Sequence, residues 1–185
     1  MAGHLSGKNI AVTGAGNGIG RAVALLCAKE GANVIVADYG VELDGSDPSS
    51  AVADEVVQQI KESGGDAIAV AGDVSDSEVG KKIVEAAIDS WGRIDGVACA
   101  AGILRERMLF NMTDEEFDDV VRVHLRGHFS VYRAAAAVMR KQEEGGSLLG
   151  FTSGAFVAST AQPNYSAAKG GIVSLTKSAA FALKR

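Results

Sequence analysis

Short runs of consecutive apolar residues alternate along the chain with longer stretches in which apolar positions recur every three or four residues. The first pattern is that of a strand buried on both faces, the second that of an amphipathic helix. Lys8–Thr13 reads as a first strand and Gly18–Glu30 as a first helix, with Ala22, Leu25 and Leu26 on one face and Gly31 as the stop. Asn33–Ala37 is a β-branched second strand. Asp47-Pro48 sets an N-cap residue before a proline at the first helical position, so a helix is expected from there to about Ser63, ending at Gly64-Gly65. Ala67–Ala71 predicts a third strand, and Ser75–Glu78 a capping box that opens a helix to about Trp91. Ile94–Ala100 is a fourth strand, and a second capping box at Thr113–Glu116 opens a long helix to roughly Arg140. Ser147–Thr152 is a fifth strand, and a last helix runs from about Pro163 to the end. This alternation predicts an α/β fold, a doubly wound parallel sheet covered on both faces. The pattern stops at Arg185 in mid-helix and leaves one sheet edge bare, so a longer protein is expected, with its C-terminal part missing here.

Composition narrows the class. The 185 residues are 47% hydrophobic and 22% charged, which suits one globular domain with a real core and excludes a disordered chain. The 23 glycines have no three-residue period, which excludes collagen, and with 5% aromatics aliphatic packing must dominate the interior. A formal charge of −5 gives no electrostatic reason to bind nucleic acid or an anionic membrane. No stretch approaches the ~20 apolar residues that span a bilayer, and Met1–Lys8 lacks the apolar core of a signal peptide. Cys27 and Cys99 lie far apart in apolar runs with no metal-type spacing, as expected of two reduced thiols in a cytoplasmic protein.

Two constellations bring chemistry. Thr13-Gly-Ala-Gly-Asn-Gly-Ile-Gly20 follows the first strand and opens the first helix. Glycines there permit a tight turn and close approach of a pyrophosphate, which the helix-start N–H groups face. Gly14, Asn17, Gly18, Ile19 and Gly20 are therefore candidate dinucleotide contacts in a Rossmann-type domain spanning residues 1–185. Asp38 ends the second strand, where a carboxylate would accept from a ribose 2′-hydroxyl and repel a 2′-phosphate. Neither Asn17 nor Tyr39 offers a compensating cation, so the expected cofactor is NAD rather than NADP.

The second constellation is Tyr165-Ser-Ala-Ala-Lys169, with Ser153 upstream. Residues at i and i+4 share a helix face, so Tyr165 and Lys169 project together. A free phenol titrates near ~10, and a neighbouring ammonium and a nicotinium cation would favour its anion. Ser153 is expected to end strand five at the carboxyl edge of the sheet, where ligands of open α/β folds bind. His124 and His128, at i and i+4, are too few for a metal site, and no metal is expected. Arg105, Arg107 and Met108 follow strand four near the expected cleft mouth; they read either as a solvated loop or as contacts to an anionic substrate handle.

Together the glycine turn, Asp38, Gly72-Asp73-Val74, Ala101-Gly102, Ser153 and Tyr165-x-x-x-Lys169 resemble the short-chain dehydrogenase/reductase family from about residue 8 onward. The resemblance implies that Tyr165 is the catalytic acid/base, that Ser153 holds the substrate oxygen, and that Lys169 binds the nicotinamide ribose and tunes Tyr165. It implies that Asp73 and Val74 flank the adenine, and that Ala100, Ala101, Gly102 and Val123 pass close to the cofactor. The chain departs from the family at Cys99-Ala-Ala-Gly102, where Asn-Asn-Ala-Gly is usual, and at His124, which replaces a catalytic asparagine and could anchor a relay water. Ser153 also stands twelve positions before Tyr165, while Thr152 has the more usual thirteen.

Gly102-Ile-Leu-Arg105, Val123-His-Leu-Arg-Gly127 and Asn164-Tyr-Ser-Ala-Ala-Lys169 look like the (3R)-hydroxyacyl-CoA dehydrogenase modules of β-oxidation enzymes, with 3-oxoacyl thioester reductases close behind. The implied activity is NAD-dependent hydride transfer between a secondary alcohol and a ketone on a small-molecule substrate. A homodimer or homotetramer is implied through the small-residue faces Ala134–Ala137 and Ala179, Ala180 and Ala182. The rival expectation is a non-catalytic nucleotide-binding scaffold or sensor that keeps the fold alone.

Overall fold

The computed structural model describes residues 3–46 and 48–184. Five strands form one parallel sheet: β1 (Asn9–Thr13), β2 (Asn33–Asp38), β3 (Ala67–Ala71), β4 (Gly96–Cys99) and β5 (Ser147–Gly150), in the order β3-β2-β1-β4-β5. The order reverses at β1, so a crevice opens between β1 and β4 at the carboxyl ends of the strands. Alternate residues of each strand feed opposite layers. Ala11, Ile35 and Ala37 pack on α3 (Ser77–Trp91) and α5 (Gly127–Met139), against Ile83, Val84, Val131 and Tyr132. Val12, Val34 and Val36 pack against Ala24 of α1 (Gly18–Lys29) and Ala53, Val56 and Ile60 of α2 (Ala51–Glu62). Full burial of each Val or Ile side chain contributes about 1.5–3 kcal/mol, so the sheet is held from both sides. Two further helices, α4 (Asp114–Val121) and α6 (Pro163–Leu183), pack on each other. Among the described residues no helix is long and apolar enough to cross a membrane.

Several boundaries differ from the expectation. Helix α2 begins at Ala51, not at Pro48, and Asp47 lies outside the described residues. The segment before it folds back: Ser49 N–H donates to the Gly40 carbonyl at 3.0 Å, and Leu104 N–H donates to the Leu43 carbonyl at 2.9 Å. Asp76, not Ser75, caps α3, accepting from Glu78 N–H at 2.9 Å. Ser75 is otherwise engaged, its hydroxyl accepting from Arg122 at 2.7 Å and its N–H donating to Asp73 at 2.9 Å. The Thr113–Glu116 capping box forms as read. The long helix it opens does not run unbroken, because a π-helical turn at Arg122–Arg126 separates α4 from α5. Strand β5 stops at Gly150, so Ser153 does not end it. The Phe151 carbonyl turns instead to the Lys169 ammonium at 2.7 Å, and the Thr152 hydroxyl donates to the Lys169 carbonyl at 3.1 Å.

Candidate active site

A cleft of about 620 Å³ opens at the carboxyl ends of the strands. Gly14, Asn17, Gly18, Ile19 and Gly20 line one wall, and Asp38, Asp73 and Val74 line the next. Ala100, Ala101 and Gly102, which follow β4, line it with Val123 and His124, and Tyr165 and Lys169 line it from α6. Ser153, the remaining sequence candidate, is not among the lining residues, whereas its neighbours Phe151 and Thr152 are.

The glycine turn is shaped by backbone contacts that no side chain could share. Gly14 sits at φ +65°, where a Cβ would lie 2.7 Å from the Ala101 backbone, and a Cβ on Gly20 would lie 2.0 Å from the Gly14 carbonyl oxygen. A Cβ on Gly18 would meet no protein atom within 4 Å, so that position faces open space at the start of α1. The helix-start N–H groups and this space suit a diphosphate. Asp38 is half-buried and accepts from Gly16 N–H at 2.7 Å and Gly40 N–H at 2.6 Å. These two bonds fix the carboxylate at the rim, with lone pairs left for a ribose diol. Asp73 is bound by Ser75 N–H and by Arg122. Burial pushes its carboxyl up, but the Ser75 and Arg122 bonds outweigh this and hold it below the usual carboxylate range.

At the other end, Lys169 is 5% exposed, and its ammonium lies 5.3 Å from the centre of the Tyr165 ring. Burial pulls its pKa down to about 8. His124 meets Tyr165 edge-on, with ring centres 5.2 Å apart. Burial, reinforced by the Lys169 charge, lowers His124 to about 4, so its ring is neutral at pH 7. The Ser153 hydroxyl accepts from Ala155 N–H at 3.3 Å in a short 3₁₀ turn and keeps its own proton to give. Thr152, by contrast, has spent its proton on the Lys169 carbonyl.

Sequence reasoning missed three contributors. Asn164 is fully buried: it accepts from Tyr165 N–H at 2.8 Å and donates to the Arg105 and Glu116 carbonyls at 2.9 and 2.8 Å, which anchors the start of α6. A polar residue just inside a helix that must be buried was the available signal. The loop after β2 brings Val41, Leu43 and Gly45 into the cleft wall, and Arg122 joins them from the π turn. Of the basic residues after β4, Arg105 lines the cleft, while Arg107 is clamped by Glu116 at 2.7 and 2.8 Å. Met108 is exposed and outside the cleft lining. Among the described residues no group of three or more His, Cys, Asp or Glu could hold a metal ion.

Comparison with known proteins agrees with this geometry. The chain is 47% identical to the hydroxyacyl-CoA dehydrogenase ChsB1 of Mycobacterium tuberculosis, over 98% of this chain and 58% of that protein. It is 45% identical to the peroxisomal multifunctional enzyme type 2 of Mus musculus, over 96% of this chain and 24% of that one. The crystal structure of a short chain dehydrogenase from Mycobacterium avium superposes with a TM-score of 0.90 at 44% identity, covering 97% of this chain and 66% of that one. The chain thus spans under two thirds of the length of these relatives. The family profile described as short chain dehydrogenase matches residues 8–185, and with the parallel sheet and its cleft this places the chain in the short-chain dehydrogenase family.

Proposed function

We propose that this chain catalyses reversible hydride transfer between NAD and a secondary alcohol or ketone, on a 3-hydroxyacyl or 3-oxoacyl thioester. The observation that supports it most is one cleft holding the glycine turn and Asp38 at one end and the Tyr165–Lys169 pair at the other. The similarity to ChsB1 supports the acyl thioester as substrate class.

Gly14, Asn17, Gly18, Ile19 and Gly20 would hold the diphosphate, Asp38 the adenosine ribose, and Asp73 and Val74 the adenine. Ala100, Ala101, Gly102 and Val123 would run along the dinucleotide toward Tyr165. When bound, the nicotinamide supplies the hydride acceptor or donor. In the oxidative direction the Tyr165 oxygen takes the hydroxyl proton as the carbinol hydride leaves, and in reduction it returns that proton. The Lys169 charge, held by the Phe151 carbonyl, favours the phenolate in a site of low dielectric. Ser153 would donate its free proton to the substrate oxygen, and His124 would complete the proton path beside Tyr165. A second copy packed on α5 and α6 would make a homodimer or homotetramer. The thiols Cys27 and Cys99, both free, fit a reducing compartment such as the cytoplasm.

The test is titration with NAD followed by an absorbance screen at the reduced-nicotinamide band, with (3R)-hydroxyacyl thioesters beside simple alcohols. Turnover of the thioesters supports the reading; NAD binding without turnover of any substrate would favour the scaffold instead. Cofactor choice has its own expected outcome. Asp38→Ala with Tyr39→Arg removes the clamp from Gly16 and Gly40 and weakens binding of both cofactors, but it should raise the NADP-to-NAD ratio of kcat/KM by about 10-fold or more. An unchanged ratio contradicts the role given to Asp38. For the substrate oxygen, Ser153→Ala should lower kcat by about 10-fold or more and Thr152→Ser much less. Equal rates for Ser153→Ala and the parent would remove Ser153 from the mechanism.

A further inference from the structure

We propose that His128 is a positioning residue, which locks the π turn so that His124 presents a fixed, uncharged hydrogen-bond acceptor beside Tyr165. The two rings are interlocked through backbone carbonyls. His124 Nε2 lies 2.9 Å from the Ile103 carbonyl oxygen, and His128 Nδ1 lies 2.6 Å from the His124 carbonyl oxygen. A carbonyl oxygen only accepts, so each of these two nitrogens must carry the proton. A neutral imidazole has one proton, and Nδ1 of His124 is therefore a bare lone pair. That atom is buried and has no partner among the described residues.

The arrangement is built into the backbone. The π turn at Arg122–Arg126 contains His124, and π turns of this kind concentrate at functional sites. Gly102 makes room for the ring, since a Cβ there would lie 2.0–2.7 Å from three His124 ring atoms. His124 and His128 are 4% and 2% exposed, so water does not compete for the two bonds.

The surrounding groups keep both rings neutral. His124 faces Tyr165, Lys169 and His128. His128 faces Tyr132, the Cys99 backbone and Lys169. The only full charge among them is the Lys169 ammonium, which opposes a second cation. Neutral rings keep their tautomers, and the Nδ1 lone pair of His124 remains an acceptor beside Tyr165. The His128 bond matters because it holds the His124 carbonyl, and with it the ring, at the one place where the helix changes its repeat.

The structural half of this proposal is independent of turnover; its catalytic consequence rests on the dehydrogenase reading above. Long-range ¹⁵N–¹H NMR of histidine-labelled protein should show His124 as the Nε2–H tautomer and His128 as the Nδ1–H tautomer, both neutral down to about pH 5. His128→Asn keeps a donor at similar reach, and His128→Leu removes it. His128→Leu should blur the His124 tautomer, lower kcat by about 10-fold or more with KM for NAD nearly unchanged, and shift the pH profile of kcat. His128→Asn should stay within about threefold of the parent with the parent profile. An Nδ1–H tautomer for His124 in the parent overturns the proposal, as does a parent-like spectrum and profile in His128→Leu. If His128→Leu does not fold, the parent tautomers and the His128→Asn profile decide it. The expected tautomers without turnover of any substrate would sink the dehydrogenase reading while leaving the interlocked pair intact.

Discussion

Tyr165→Phe should cut turnover by about 10²-fold or more and leave NAD affinity within about twofold. The variant removes one oxygen from a half-buried ring and leaves the surroundings in place. The Tyr165 backbone stays tied to Asn164, Lys169 stays on the Phe151 carbonyl, and the ring keeps its edge contact with His124. General acid/base catalysis by a positioned group contributes ~10²–10⁴-fold, about 3–5 kcal/mol of barrier. Fluorescence titration with the reduced cofactor separates binding from chemistry. Parent-like turnover in Tyr165→Phe would remove the phenol from the reaction, and with it the proposed mechanism.

Gly20→Ala should weaken NAD binding by about 10-fold or more and destabilise the fold. The added Cβ would lie 2.0 Å from the Gly14 carbonyl oxygen and 2.6 Å from its carbonyl carbon, so the turn or the start of α1 must move. Backbone cannot swing aside as a flexible side chain does. Overpacking of this kind costs about 1–3 kcal/mol. The same shift displaces the amides offered to the diphosphate, so one methyl group acts on stability and binding together. Thermal unfolding and cofactor titration on one preparation check both, and a Tm and an affinity equal to the parent's would show that the turn has slack the structure denies it.

The sequence made the fold class and most of the cleft legible because both rest on local regularities. The alternation of apolar runs with helical periods specifies strands and helices, and their order specifies a parallel sheet. The glycine turn and Tyr165-x-x-x-Lys169 are short motifs whose geometry is set within one turn of chain. Fifteen of the sixteen candidate residues therefore line one cleft, Ser153 being the exception.

The local pattern of strand five runs on to Thr152, which puts Ser153 at a strand end that it does not occupy. The strand stops at Gly150, where the Phe151 carbonyl finds Lys169, a partner eighteen positions away that no local pattern records. The cap of α3 moved from Ser75 to Asp76 for a similar reason, since Arg122 on another element claims the Ser75 hydroxyl. The π turn was invisible because its residues keep a helix-compatible pattern; one shifted hydrogen-bond register leaves no mark on composition.

What the sequence by itself determined was the set of elements, the phosphate-binding turn, and the pairing of a phenol with an ammonium on one helix face. Each depends on residues a few positions apart, where backbone geometry alone dictates who meets whom. Only the tertiary structure decided that the loop after β2 clasps Leu104, that Asn164 ties the start of α6 to the Arg105 and Glu116 carbonyls, and that the Ile103 carbonyl fixes the His124 proton. Those are hydrogen bonds between distant segments, and they exist only once burial has excluded the water that would otherwise satisfy the same groups.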